Sequence, residues 1–285
     1  MHWLLYLLLT ASWGCLEANS KNCTLLRPCN EGLPRQCVIG PHQRDYDFFR
    51  SKISLFTQGF AVVRYGDGEF NLMIGKRILK DSQAYLVDRF WSDGGQSTIG
   101  NDLMASLCGH YGEPYYYAFA SPSTTDDSSG LKWLLERTEQ RCEFLSYANL
   151  WVNAMYHETK IFLENYLLRY TSSSVVIANH QGLGRLRAMN KLNFKFLELP
   201  DFVNKVWKGE MRENLLRNAT MLAKSVMKHY FFVSGGPMAK VLISYMWNSN
   251  KANIYLDFGS SMDEVLKGVK TRPYMYPTNG FSQTV

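Results

Sequence analysis

From about residue 42 onward, short runs of β-branched and aromatic residues alternate with stretches whose apolar residues recur at helical spacing. The first such stretch predicts a helix, because Tyr46, Phe49, Ile53 and Phe56 fall three or four residues apart. The runs that predict strands are 60–65, 115–120, 144–151, 175–178, 194–199, 230–234 and 254–258. The stretches that predict helices between them are 101–110, 131–141, 158–170, 206–229 and 237–247.

Strands that alternate with helices indicate crossover connections, and these produce a largely parallel sheet. The expected fold class is therefore α/β, a Rossmann-like and mostly parallel sheet flanked by helices. We expect three parts: a signal peptide or short anchor at 1–18, a Cys-rich segment at 19–41, and a single α/β domain at 42–285. In such a sheet ligands bind beyond the carboxyl ends of the strands, so the loops that follow the strands are the places to look for chemistry.

The N-terminal residues have the pattern of a secreted protein. The apolar run WLLYLLLTA at 3–11 has the length of the hydrophobic region of a signal peptide and is short for a membrane-spanning helix. The cysteines that follow match no zinc spacing and predict disulfides in an oxidising compartment: Cys23, Cys29 and Cys37. Sequons at Asn22 and Asn218 agree with a glycoprotein. We expect the secretory pathway (endoplasmic reticulum or Golgi lumen, or secretion), with membrane contact only if the N-terminus stays uncleaved.

Composition and charge narrow the class of ligand. The chain has 285 residues, of which 46% are hydrophobic and 20% charged, so it is expected to fold around a substantial core. The net charge of +6 comes from 31 basic and 25 acidic residues without a run of five basic ones. A nucleic-acid partner is not expected, because it would usually require a basic stripe. A small anionic ligand suits the mild positive charge.

The loop after the first predicted strand carries the strongest candidate chemistry. It reads RYGDGEF over 64–70, with Asp67 and Glu69 as candidate catalytic groups and as candidate ligands of Mn²⁺ or Mg²⁺. Two carboxylates this close would raise each other's pKa without a cation between them. Arg64 is a candidate partner for a phosphate, and Gly66 and Gly68 let the backbone approach a ligand. The alternative is a plain acidic turn, since Asp-Gly is a common turn dipeptide.

Three later loops offer groups for a nucleotide. In the loop expected over 179–187, Gly182 and Gly184 would expose backbone N–H groups to a phosphate, and His180 would contact the nucleotide or pack locally. The loop at 234–240 offers two further glycines and a cation: Gly235, Gly236 and Lys240. The last loop begins at Asp257, which would bind a sugar hydroxyl or a metal, or cap the next helix. Together these loops predict a nucleotide-diphosphate site at one edge of the sheet.

The segment RYGDGEF at 64–70, followed by Ile74 and Gly75, resembles the signature of GT-D-type glycosyltransferases, which carry an Asp-x-Glu motif. The later motifs follow in a similar order over about 42–268: Asn153 and Tyr156 in LWVNAMY, Gly182 and Gly184, Gly236-Pro237-Met238-Ala239, and Asp257-x-Gly259. The resemblance implies a Rossmann-like transferase that uses a nucleotide sugar and a divalent metal held by Asp67 and Glu69. It also implies that the glycines and Asn153 line the nucleotide. The chain departs from the family at Ser260, where a histidine is usual, and at Met262, where the second acid is usual.

The leading functional hypothesis is a metal-dependent glycosyltransferase of the secretory pathway. It would move a sugar from a nucleotide-diphosphate donor, most simply a UDP-sugar, to a hydroxyl of a glycan or glycoprotein. Its candidate catalytic groups are Asp67, Glu69 and Asp257, and the candidate general bases are His157, Glu158, His180 and Asp257. The first alternative is a non-catalytic secreted protein that binds a sugar or nucleotide on the same scaffold. The second, a metal-dependent phosphoesterase, would require further Asp or His ligands in H-x-D or D-x-D clusters.

Overall fold

Seven strands form one sheet in the computed structural model, which describes residues 42–74, 98–119, 133–134, 137–138, 140–169, 171–188, 194–200 and 207–276. The predicted signal peptide, the early cysteines and the sequon at Asn22 lie outside these residues and stay predictions. The strands are β1 Phe60–Tyr65, β2 Tyr115–Phe119, β3 Leu145–Tyr147, β4 Ser174–Asn179, β5 Lys195–Leu199, β6 Tyr230–Val233 and β7 Ile254–Asp257. Every adjacent pair is parallel, in the order β3-β2-β1-β7-β6-β4-β5. The predicted Rossmann-like α/β fold class is confirmed.

Helices cover the sheet. They are α1 His42–Leu55, α2 Asp67–Met73, α3 Thr98–Ser106, α4 Tyr156–Arg169, α5 His180–Ala188, α6 Gly209–Lys224, α7 Pro237–Ser249 and α8 Asp263–Lys267. Short 3₁₀ turns lie at Cys142–Phe144, Ala148–Trp151, Asn153–Met155, Thr171–Ser173, Gly259–Met262 and Pro273–Met275. Among the helices in the described part of the chain, none has both the length and the apolar composition that crossing a membrane requires.

Alternating side chains of the buried strands supply the two halves of the core. In β1, Ala61, Val63 and Tyr65 face one layer of helices, and Phe60 and Val62 face the other. Continuously apolar strands are typical of a parallel sheet that is covered on both faces. Burial of both faces therefore holds the strands in the sheet. The arrangement of the sheet in turn determines where the carboxyl end of each strand emerges.

Four boundary predictions need correction. The strand predicted at 144–151 is paired only over Leu145–Tyr147, because the chain then turns inward and buries Trp151 against α1. The helix predicted at 101–110 lies earlier, at Thr98–Ser106. The loops predicted after β1 and β4 become helices α2 and α5 almost at once.

Helix α6 is shorter than the helix predicted at 206–229. Its buried residues are Leu215, Leu216, Ala219 and Ala223, whereas Met211 is 48% exposed. The prediction extended the helix to Trp207 and Val226, which are buried but lie beyond its ends. The buried alanines are small and pack closely. A sequence pattern that considers only large apolar residues leaves them out.

We expect Gly59→Ala to lower the free energy of unfolding by about 2 kcal/mol, through overpacking. A Cβ atom at Gly59, just before β1, would lie 2.0 Å from the Lys251 carbonyl oxygen and 2.6 Å from that of Asn253. Both contacts are with backbone before β7, which cannot rotate away. The matched control is Gly184→Ala in α5, where a Cβ meets no atom within 4 Å. Urea unfolding should show the control unchanged or more stable, and equal effects at both sites would contradict this account.

Candidate active site

The loops that follow β1, β7 and β6 meet at the carboxyl edge of the sheet, because these three strands are neighbours. Parallel strands end on the same side, so the predicted common edge for the loops is confirmed. The loop after β4 opens on the same edge but one strand further away from β1. The described centre of the candidate site is a cluster of four charged residues, which we call the charge cluster: Arg64, Glu69, Lys240 and Asp257.

Glu69 is held by the start of helix α2. The helix begins after Gly66, whose backbone N–H donates to Glu69 Oε2 at 3.0 Å, as in half of a capping box. The other carboxylate oxygen, Oε1, lies 2.9 Å from Lys240 Nζ. A Cβ atom at Gly66 would lie only 3.3 Å from Oε2, so the glycine makes room for this carboxylate. Glu69 is thereby buried with both oxygens engaged.

Lys240 reaches the cluster from the first turn of α7. Helical side chains lean toward the N-terminus of their helix, so Lys240 extends back toward the sheet edge. Gly236 precedes the helix with φ 52° and ψ −135°, a conformation that glycine adopts most readily. The Lys240 ammonium lies 2.8 Å from Asp257 Oδ2 and donates to the Gly236 carbonyl at 3.1 Å. Lys240 therefore links Asp257, at the end of β7, and Gly236, after β6, to Glu69 of α2.

Asp257 and Arg64 complete the cluster from adjacent strands. Asp257, the last residue of β7, accepts a hydrogen bond at Oδ2 from the backbone N–H of Arg64 at 3.1 Å. The Arg64 guanidinium donates to the carbonyls of Ala148, at 2.6 Å from Nε, and Phe258, at 3.1 Å from Nη1. A Cβ at Gly259, where φ is 52°, would lie 3.1 Å from Nη1, so this glycine leaves space for the guanidinium.

The electrostatics of the cluster keep Lys240 and Glu69 charged. Burial alone would lower the pKa of Lys240, but the carboxylates of Asp257 and Glu69 outweigh it, and the net pKa is raised. Burial alone would raise the pKa of Glu69, but Lys240 and the backbone N–H groups lower it below its ordinary value. The prediction that repulsion from a nearby carboxylate raises the Glu69 pKa is wrong, because an ammonium lies beside it.

The described part of the cluster does not fit a divalent metal. Such ions take about six oxygen ligands. Both Glu69 oxygens and Asp257 Oδ2 already accept hydrogen bonds, and the remaining oxygen, Asp257 Oδ1, is buried without a hydrogen-bond partner. Across the described ranges there is no group of three or more His, Cys, Asp or Glu side chains arranged to hold a metal. The Asp67 side chain lies outside what the structure describes, so its predicted role as a ligand stays a prediction.

The remaining predicted site residues lie near the same edge but not in the cluster. Gly182 and Gly184 are in the first turns of α5, and Gly182 packs against Leu266 of α8, where a Cβ would lie 3.2 Å from the Leu266 Cβ. His180 is exposed and lies 3.2 Å from Glu198. Gly182 therefore has a packing role, and binding of a phosphate by the two glycines stays a prediction.

The other predicted nucleotide residues follow three different strands. Asn153 begins a 3₁₀ turn with φ 53°. Gly235 lies before α7, where a Cβ would come within 2.5 Å of Leu199 Cδ1, and Gly68 lies in the first turn of α2. Their roles toward a ligand stay predictions. Asn153 and Gly235 are placed on the same sheet edge as the cluster.

Sequence reasoning missed the neighbours of the last loop. Ser260 Oγ hydrogen-bonds the hydroxyl of Tyr274 at 2.9 Å, and the Tyr274 ring lies edge-on to Tyr156 at 5.2 Å between centroids. The Tyr156 hydroxyl donates to Glu264 at 2.6 Å. The departure at Ser260 thus has a structural partner in this chain. The sequence singled out Tyr156 in LWVNAMY but gave no signal for Tyr274 or Glu264.

Comparison with known proteins supports the architecture. One similar structure is a selenomethionine-substituted domain of unknown function 1792 (DUF1792), with TM-score 0.52 and 17% identity over 82% of this chain and 84% of that one. A second, described as showing that this highly conserved domain has a distinct glycosyltransferase fold, has TM-score 0.51 and 17% identity over the same shares. The chain shares the fold of DUF1792 domains.

Other comparisons add little. A structure described as a new glycosyltransferase (DUF1792) from Streptococcus sanguinis aligns at TM-score 0.46 with 14% identity, over 81% of this chain and 85% of that one. No protein-family profile and no curated protein matches the chain. The two structures with TM-scores above 0.5 show a likeness of fold to a domain described as having a glycosyltransferase fold, and the activity has to be argued from the charge cluster.

Proposed function

We propose that the protein is a glycosyltransferase that binds a nucleotide-diphosphate sugar, most simply a UDP-sugar, at the charge cluster. The observation that supports this most is the convergence of Arg64, Glu69, Lys240 and Asp257 beyond the carboxyl ends of three adjacent strands. This is where α/β sheets bind nucleotides. The similarity of the fold to one described as a distinct glycosyltransferase fold supports the same reaction class. A glycan or glycoprotein acceptor and a secretory compartment belong to the same proposal and rest on the sequence.

The proposed reaction exchanges one bond for another. An acceptor hydroxyl oxygen forms a bond to the anomeric carbon of the donor sugar, while the bond from that carbon to the diphosphate oxygen breaks. The electron pair of the broken bond leaves with the nucleoside diphosphate, and the hydroxyl proton passes to a base. Negative charge grows on the diphosphate, so fixed positive groups at this edge stabilise the transition state. Arg64 is the half-buried cation of the cluster and the best placed to face the diphosphate.

The candidate bases for the hydroxyl proton are Asp257, His157, Glu158 and His180. Asp257 is fully buried and bound to Lys240, so an incoming hydroxyl cannot reach it directly. His157 and Glu158 lie exposed in the first turn of α4, and His180 lies exposed at the start of α5.

The engagement of Asp257 also supports the second candidate, a non-catalytic protein that binds a nucleotide or sugar. That candidate predicts binding of UDP without release of UDP from any UDP-sugar.

The test of the proposed function is release of UDP from a panel of UDP-sugars, with and without glycan acceptors. We expect Arg64→Met to lower both UDP affinity and the rate of release about tenfold or more, since a charged hydrogen bond contributes about 1.5–3 kcal/mol. The matched control is Arg217→Met, which removes an exposed arginine of α6. Equal activity of Arg64→Met and the control would exclude the charge cluster as the donor site. Binding of UDP without release across the panel would favour the non-catalytic candidate.

A further inference from the structure

We propose that the ammonium of Lys240 takes the place of a divalent cation in this site, so that the protein binds a nucleoside diphosphate without Mn²⁺ or Mg²⁺. The statement about the diphosphate rests on the proposed function. The role of Lys240 as the cation rests on the charge cluster alone and has an experiment of its own.

The position of the ammonium supports this inference. Its nitrogen lies 2.9 Å from Glu69 Oε1 and 2.8 Å from Asp257 Oδ2, two carboxylates that come from different elements of the fold. Bridging two such carboxylates is what a divalent cation does in an oxygen-ligand site. The lysine side chain therefore occupies the position that a cation shared by Glu69 and Asp257 would take.

The ammonium of Lys240 is fixed in this position by its hydrogen bonds. An ammonium has three N–H donors, and Lys240 directs them to Glu69, Asp257 and the Gly236 carbonyl. Lys240 is 4% exposed, so water contributes little to solvating its ammonium. A metal that displaced the ammonium would leave a buried charge without its partners, which is strongly unfavourable.

The charge balance of the cluster completes the argument. Glu69 and Asp257 contribute two negative charges, and Lys240 and Arg64 contribute two positive ones, so the four sum to zero. Without Lys240 the cluster would carry a net negative charge and repel a diphosphate. The lysine thus supplies the compensation that a metal would otherwise supply, and leaves Arg64 to face the ligand.

The first experiment titrates Mn²⁺ into the full-length chain and follows free Mn²⁺ by electron paramagnetic resonance. We expect the wild type to show no Glu69-dependent binding tighter than about 1 mM. Lys240→Ala, which frees the two carboxylates, should bind Mn²⁺ at least about tenfold more tightly and gain thermal stability on addition of Mn²⁺. Glu69→Gln in the Lys240→Ala background should remove the gain. A merely structural lysine predicts lost stability in Lys240→Ala without gained Mn²⁺ affinity.

The second experiment measures UDP binding to the wild type by calorimetry, in EDTA and in Mn²⁺. We expect affinities within about twofold of each other, a negligible difference in free energy. Tight Mn²⁺ binding by the wild type that Glu69→Gln abolishes, or UDP binding only with Mn²⁺, would overturn the inference. Absence of UDP binding in both buffers would refute the proposed function instead, and the Mn²⁺ titration would still decide the role of Lys240. If Lys240→Ala does not fold, the two wild-type measurements suffice.

Discussion

Replacing Asp257 with alanine is expected to abolish UDP release from UDP-sugars and to lower the free energy of unfolding by about 3–5 kcal/mol. The substitution removes the acceptor of the Lys240 ammonium and of the Arg64 backbone N–H. Lys240 would then be a buried cation with Glu69 as its remaining carboxylate partner, and the strand-end backbone at Arg64 would lose its acceptor. Both changes lie at the fully buried end of β7, where water cannot replace the lost partner.

Urea unfolding and a UDP-release assay measure the two effects of Asp257→Ala. Asp47→Ala is the matched control, because Asp47 is an exposed carboxylate of α1 that does not belong to the cluster. The control should change the free energy of unfolding by no more than about 0.5 kcal/mol. A loss in Asp257→Ala as small as that of the control would mean that the buried ion pair contributes nothing to folding.

Acidification from pH 6.5 to pH 4 is expected to remove about 3 kcal/mol of stability through His110 alone. Burial lowers the pKa of His110 from 6.5 to about 4; Glu113 opposes this shift and Lys251 adds to it. The ring stacks on Tyr115 at 3.9 Å between centroids, and its Nε2 lies 3.1 Å from Ser244 Oγ. In this window the unfolded chain binds a proton that the folded chain excludes, so stability falls as the pH falls.

The check is the free energy of unfolding measured at half-unit steps between pH 7 and pH 4. His110→Gln keeps a polar side chain but takes up no proton, and it should flatten the slope between pH 6.5 and 5, where carboxylates contribute little. The matched control is His157→Gln, which removes an exposed histidine of α4. An unchanged slope in His110→Gln would show that the buried histidine is not the group that titrates.

The sequence predicts the fold well because buried parallel strands leave a plain signal. Phe60–Tyr65 was predicted with its observed bounds, and the other central strands differ by one or two residues at their ends. The edge strand β3 was overextended, since Leu145–Tyr147 and the inward-turning Ala148–Trp151 are equally apolar. Periodicity reports burial, and burial does not distinguish a paired strand from a packed turn.

The sequence predicted which residues belong to the candidate site but not which of them contact one another. Arg64, Glu69, Lys240 and Asp257 were all selected because each lies at or just after a strand end. Their contacts depend on the strand order, which places β7 between β1 and β6, and nothing in the local sequence encodes that order. Phosphate binding by Gly182 stays a prediction, but its packing role was not predictable from the local sequence. Glycine disfavours helices in isolation, whereas here the close packing of α5 on α8 requires it.

The central position of β7 has a consequence for synthesis on the ribosome. Among the strands that the structure describes, Ile254–Asp257 is the last to be made, and it is the one that links β3-β2-β1 to β6-β4-β5. Until it leaves the exit tunnel, the nascent chain can form at most two half-sheets, each with an open edge at β1 or β6. Such edges are prone to mispairing, so the late C-terminal strand would make this chain dependent on chaperones while it is being translated.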